Sequence, residues 1–213
     1  MLKIIFGAVL TALLGTALAA TAQTAVPAEP HLQAAQTESD RANALFDEIF
    51  DRKVARDPVY QTYLGLKTNY GKWSDLSEAG QAANLAHRQA DLKLLQDIDT
   101  EQLKAETLVS YNLLEQKLLE EIEDYKWRHH NYPVNQMFGE HARIPAFLIN
   151  QHTISNVSEA QAYISRLNGV NQRLQQVIDQ LTIREKEGVI APSFVLPHVL
   201  RDSSNLLVGA PFD

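Results

Sequence analysis

The chain has 213 residues, 45% hydrophobic and 21% charged, a globular rather than disordered composition that fits one domain or a large piece of something bigger. Its formal charge of −7 comes without a basic cluster, which argues against nucleic acid as a partner because phosphate binding needs concentrated Lys and Arg. With no cysteine, disulfides, iron–sulfur clusters, thiolate zinc sites and a cysteine nucleophile are excluded.

Residues 1–19 read as a signal peptide. Lys3 precedes an apolar stretch from Ile4 to Leu14, and Ala17-Leu18-Ala19 places small residues where a signal peptidase reads. Ala20-Thr21-Ala22 offers an alternative cut, and no Cys follows either site, so a lipid anchor is excluded. The apolar stretch is about a dozen residues, short of the ~20 that a spanning helix needs. The expectation is therefore an exported protein, periplasmic or extracellular, with no membrane segment after cleavage. Residues 20–36, with Pro27 and Pro30, read as a disordered lead-in, and residues 37–213 as a helical domain.

Helical periodicity dominates from Thr37. Leu45, Phe46, Ile49, Phe50 and Val54 form one apolar stripe. Asp57 then caps a short helix with Pro58 at its first position, Val59, Tyr63 and Leu64 facing inward, and Gly65 as its stop. Lys67 to Trp73 reads as loop. Asp75 with Glu78 predicts a capping box opening a helix that carries Ala82, Leu85, Leu92, Leu95 and Ile98. Asp99 with Gln102 predicts the start of the longest helix, to His129, with Leu108, Tyr111, Leu114, Leu118, Ile122 and Tyr125 inside. Glu115, Glu120, Glu121 and Glu123 form its solvated face.

Pro133 closes that helix, and the pattern is irregular from Tyr132 to Ser155. Ser158 with Gln161 predicts the cap of a further helix. Its Tyr163, Leu167, Val170, Leu174, Val177 and Leu181 make a near-heptad seam suited to a long neighbour. Arg184, Lys186 and Gly188 mark its end, and Pro192 and Pro197 bracket a short element near Phe194. No stretch alternates like a half-buried strand. The fold class is all-α, an irregular bundle of about five or six helices. The apolar run Leu206 to Phe212 reads as if further chain should follow.

Catalytic patterns are missing from this sequence. The seven histidines include no pair spaced i, i+4 for a zinc peptidase helix. His129-His130 point about 100° apart on a helix and read as surface or capping residues. Glu140-His141 with His152 could converge only through loop geometry. There is no G-x-S-x-G elbow and no glycine-rich phosphate loop. Asn156-Val157-Ser158 formally matches a glycosylation acceptor, although Ser158 reads better as a helix cap. One segment, Asn131-Tyr132-Pro133-Val134-Asn135-Gln136-Met137-Phe138-Gly139, has the amide-rich composition that lines clefts. Capping of helix ends by Asn131 and Asn135 explains it equally well.

Several segments together carry a resemblance. They are Asp57-Pro58 with Tyr63-Leu64-Gly65-Leu66, Trp73-Ser74-Asp75-Leu76-Ser77, Asn131-Tyr132-Pro133-Val134-Asn135-Gln136 with Gly139, and Ile144-Pro145-Ala146-Phe147-Leu148. Tyr163-Ile164-Ser165-Arg166-Leu167, Arg184 through Pro192 and Gly209-Ala210-Pro211-Phe212 complete the ordered set. In this the chain resembles the N-terminal part of a large bacterial family, domain of unknown function 885. The resemblance implies much longer, often exported helical proteins that look like zinc metallopeptidases, with an H-E-x-x-P-G-H type motif in the C-terminal half.

This sequence lacks that motif, so the resemblance transfers no catalytic residue and no metal ligand, and zinc is implied only for the full-length family. The expected partners are a missing C-terminal catalytic half and a peptide substrate. Tyr132, Asn135, Gln136 and Arg166 are the candidate residues of a substrate cleft. The competing expectations are a self-sufficient secreted helical binding module, or an exported metal-binding protein using His141 and His152.

Overall fold

The structure is a computed structural model that describes residues 37–208. The expected signal peptide, the lead-in to Gln36 and the segment Gly209 to Phe212 lie outside the described residues. Seven α-helices follow in order: α1 Glu38–Arg56, α2 Pro58–Tyr63, α3 Glu78–Gln96, α4 Ala105–Glu123, α5 Glu140–Asn150, α6 Val157–Lys186 and α7 Leu196–Asn205. Three short 3-10 turns, at Thr100–Gln102, Asp124–Trp127 and Ser193–Val195, join some of them. No strand occurs among the described residues, so the all-α class holds.

Capping sets most of the boundaries. Thr37 accepts from the Asp40 amide while the Asp40 carboxylate accepts from the Thr37 amide, a complete capping box for α1. Asp57 caps α2 through the Tyr60 amide, with Pro58 at the first position as expected. That helix stops at Gly65, whose φ of 77° lets the Leu66 and Gly65 amides close back on the Gln61 and Thr62 carbonyls.

Three helix starts are displaced from the predicted ones. Ser77, not Asp75, caps α3 by accepting from the Gly80 amide, while Asp75 accepts from the Ser77 amide one turn earlier. Asp99 caps only a 3-10 turn, and α4 begins at Ala105 beyond it. Asn156, not Ser158, caps α6, and the Ser158 hydroxyl hydrogen-bonds to the Asn156 side chain. At α3 and α6 a second Ser or Asn within two residues competes for the same amides, and only the chain path decides between them; α4 starts after Lys104 with no side-chain cap.

Helices α1, α3 and α4 pack together around Ala42, Leu95, Ile98, Tyr111 and Leu118, with Leu45, Phe46, Leu92 and Leu114 at the margin. A second cluster gathers Ile144, Phe147 and Leu148 of α5 with Val59, Trp73, Tyr163 and Val170. α7 lies against α5. Phe50, Tyr63, Leu64 and Ala82, expected inside, are exposed. Glu121 does not belong to a solvated face. Burial pushes its carboxyl up, but Lys53, Arg88 and Lys117 gathered around it bring it below the usual range.

The longest helix is α6, with 30 residues, whereas α4 has 19. Its inward face matches the predicted seam only in part: Tyr163, Val170 and Val177 turn inward, and the three leucines do not. Arg166, Arg173, Val177, Gln180 and Arg184 are buried, while Leu167, Leu174 and Leu181 are exposed. At 100° per residue the buried face is rotated by roughly 60° from the expected seam. The region read as irregular holds α5, whose Pro145 sits inside the helix.

Candidate functional site, a cleft beside a row of buried arginines

Three arginines of α6 reach across to segments that have no regular structure of their own. Each guanidinium donates to main-chain carbonyls, which are the groups a loop must satisfy if it is to lie against a helix.

Arg166 is fully buried. It donates from Nε to the Lys72 carbonyl at 3.1 Å, from Nη2 to the Thr62 hydroxyl at 2.8 Å and the Pro58 carbonyl at 3.3 Å, and from Nη1 to His152 at 3.0 Å. Phe147, Tyr70 and Trp73 lie around it, with ring centroids 4.7, 5.2 and 5.6 Å from the guanidinium carbon. No carboxylate touches it among the described residues. Burial pulls its pKa down to about 10, which still leaves it charged at neutral pH.

One heptad further along, Arg173 donates from Nε to Glu140 at 2.5 Å and from Nη1 to the Ser74 carbonyl at 2.9 Å, and it lies 4.9 Å from the Trp73 centroid. Arg184 donates to the carbonyl oxygens of Arg128 and Asn131 and to the Asn131 side chain, so it holds the turn that follows α4. Beside it His129, only 5% exposed, lies between two carboxylates, Glu78 at 2.9 Å and Glu187 at 3.3 Å. Burial pushes the Glu78 carboxyl up, but hydrogen bonds from His129, Gln180 and Arg128 prevail and set it at about 2. The reading of His129 as a surface or capping residue is therefore corrected.

Between residues 71–75 and α6 lies a cleft of about 420 Å³. Its floor depends on small residues. A Cβ on Gly169 would come within 2.9 Å of the Trp73 ring, and one on Gly71 within 3.2 Å of Ser165. Trp73 can therefore lie flat on α6 and donate its indole N–H to the Arg166 carbonyl at 2.8 Å. Lys72, Asp75, Gln172 and Arg173 line the remainder.

The four sequence candidates are not brought together here. Arg166 is a buried strut behind Trp73, with no face on the cleft. Asn135 serves its own turn: its side-chain oxygen accepts from the Met137 and Phe138 amides, both at 2.8 Å, and its side-chain amide donates to the Tyr132 carbonyl. Tyr132 and Gln136 are exposed on the same loop. That loop reaches the site through Glu140, which begins α5 and holds Arg173.

Sequence reasoning passed over Arg173, noted Trp73 only within a shared motif, and weighed Glu140 only beside His141 and His152 as a metal site. The available signal was the heptad interval from Arg166 to Arg173, with Gln180 and Arg184 continuing the same face.

Several of the histidines and acids near the cleft are engaged with one another or with arginines. His152 accepts from Arg166 on Nδ1, both Glu140 oxygens face arginines, and His129 has a carboxylate on each nitrogen. No three His, Asp or Glu side chains are grouped to hold a metal among the described residues. No described helix is long and apolar enough to cross a membrane.

A family model described as bacterial protein of unknown function (DUF885) matches residues 58–213. The chain belongs to this family. No curated protein and no solved structure matches it. Within the matched region, α2, the 71–75 segment, the 131–139 loop and α5 all bond to the buried arginines of α6 or to residues those arginines hold.

Proposed function

We propose that this chain is the N-terminal helical portion of an exported, DUF885-type zinc peptidase. In this reading it forms one wall of a peptide cleft, and a C-terminal half supplies the catalytic groups. The N-terminal segment directs export to the periplasm or beyond. The zinc that would provide the Lewis acid and the activated water belongs to that other half. This chain's part is to position peptide against the Trp73 and Arg173 wall.

The observation that carries the reading is the outer side of α6. Ile164, Leu167, Leu174, Ile178 and Leu181 recur within about a third of the helix circumference and are all exposed. Leu196 and Leu200 of α7 and Phe194 before it are exposed as well. A helix in a free-standing bundle would turn such a stripe inward, since apolar area left in water forgoes about 25 cal/mol per Å². In an N-terminal wall the stripe is the seat of the other half.

The test is to incubate the purified chain with a peptide library and added zinc. No turnover above a zinc-only blank is expected; hydrolysis that co-purifies with the chain would overturn the division of labour. A second reading, a self-sufficient secreted binding module, draws on Arg166 and Arg184, whose guanidinium nitrogens are all bonded within the described residues. A cooperatively melting monomer that binds no hydrophobic dye would favour it.

A further inference from the structure

We infer that the cleft between residues 71–75 and α6 is a carboxylate subsite, shaped for the C-terminal carboxylate of an extended peptide. The choice of a peptide rests on the wall reading above; the recognition of a carboxylate rests on the cleft alone.

Arg173 is only 5% exposed and lines the cleft, yet its Nη2 makes no hydrogen bond among the described residues. That nitrogen is not buried away from water, so it opens onto the cleft, where an entering anion would replace water at a charged donor. Lys72, Ser165 and Gln172 line the same cleft, and their side chains also lack hydrogen bonds among the described residues. The hydrogen-bonding capacity left open is therefore mainly donor.

Asp75 is the acid in the lining. Its Oδ1 accepts from the Ser77 amide and the Gln176 side chain, and its Oδ2 turns toward Gly80. The open donors of Arg173 and Lys72 suit a ligand that brings acceptors.

The charges decide which acceptor. Lys72 and Arg173 stand against Asp75 and the Glu140 behind Arg173, so a dianion such as phosphate meets more repulsion here than a monoanion does. A single planar carboxylate suits the open nitrogen of a fixed guanidinium, with the Lys72 ammonium at the rim. The volume lies within the range of small-ligand sites and accommodates the last residues of a peptide lying along Trp73.

The experiment follows the Trp73 indole N–H signal by NMR in the full chain, identified with a Trp127→Phe variant. The ligands are N-acetyl-trialanine, its C-terminal amide and inorganic phosphate. The free acid is expected to shift the signal saturably within about 10 mM, the weak range for one charge-assisted contact. The amide should bind roughly tenfold more weakly or worse. Arg173→Lys should abolish the preference for acid over amide.

Because Arg173 also holds Glu140, two exposed positions supply variants that leave the internal network intact. Lys72→Met should weaken the acid several-fold, and Gln172→Trp should block it by filling the cleft. No saturable shift, equal binding of acid and amide, or displacement of the acid by phosphate at matched concentration would overturn the subsite. No assay of hydrolysis enters, so the subsite and the peptidase reading can fail separately.

Discussion

Arg166 donates from Nη1 to Nδ1 of His152 at 3.0 Å, so the imidazole accepts there and carries its proton on Nε2, 3.3 Å from the Glu159 carbonyl. An arginine cannot accept, which leaves neutral His152 with that one tautomer. Tyr70 stacks on the ring at 3.9 Å and Tyr163 meets it edge-on. The pair joins the end of α5 to the middle of α6 without a carboxylate between them.

Replacing Arg166 should therefore damage the fold rather than a binding step. Arg166→Met leaves the Lys72 carbonyl, Thr62 and His152 without their donor, and a loss of about 3 kcal/mol in urea unfolding is expected. Arg166→Lys should recover little of it, because a single ammonium cannot reach partners spread around a planar fork. A lysine variant as stable as the parent would show that the network carries little of the stability.

Acid should weaken the protein in two steps. Burial lowers the His152 pKa from 6.5, so the folded state resists a proton that the unfolded chain accepts. Its contribution is complete above 6.5 and is lost as pH falls from there through the folded-state value. Glu78, lowered from 4.5 to about 2, adds a second loss below 4.5 that continues to about 2. Urea midpoints measured across this range should fall in both windows. His152→Asn, whose side-chain oxygen can still accept from Arg166, should flatten the first window and leave the second.

Gly169→Ala tests the seating of Trp73 on α6. In an ordinary helix this change stabilises by roughly 1 kcal/mol. Here the new methyl would lie 2.9 Å from the indole Cδ1, and the overpacking should reverse the sign, for a net loss of about 1 kcal/mol. Loss of the shifted Trp73 indole N–H signal should accompany it. An alanine variant of raised stability would mean that the ring is not held where it is described.

The exposed stripe on α6 makes a contrasting prediction. Leu174→Ser and Ile178→Ser should change the stability of this chain by no more than about 0.5 kcal/mol, whereas Val177→Ser on the buried face should cost about 2 kcal/mol. Dye binding should fall with the first two and rise with the third. Equal losses at all three positions would show that the stripe is already covered within the chain.

Much of the fold was legible locally. The α1 stripe with its Thr37 cap, Asp57-Pro58 at the start of α2, Gly65 at its end and the inward row Tyr111, Leu114 and Leu118 all follow from caps, glycine geometry and helical period, which act over a turn or two of chain. α5 was hidden because Pro145 interrupts the expected grammar, although Ile144, Phe147 and Leu148 carry its buried face. The candidate site was hardly legible. Arg166 was chosen as a cleft residue, and its role as a strut depends on carbonyls at Pro58 and Lys72, more than ninety positions away.

What the sequence determined by itself is the all-α class, the bounds of α1 and α2 and family membership, since these rest on short-range periodicity and ordered motifs. The tertiary structure alone decided which side of α6 faces inward. Hydrophobic spacing favours the leucines, but the loops packed against this helix present unpaired carbonyl oxygens, and in a buried setting those require arginine donors more than they require leucine. That need is created by distant segments, so hydrophobic spacing does not reveal it; its mark is the polar heptad Arg166, Arg173 and Gln180, each one residue before a leucine of the seam.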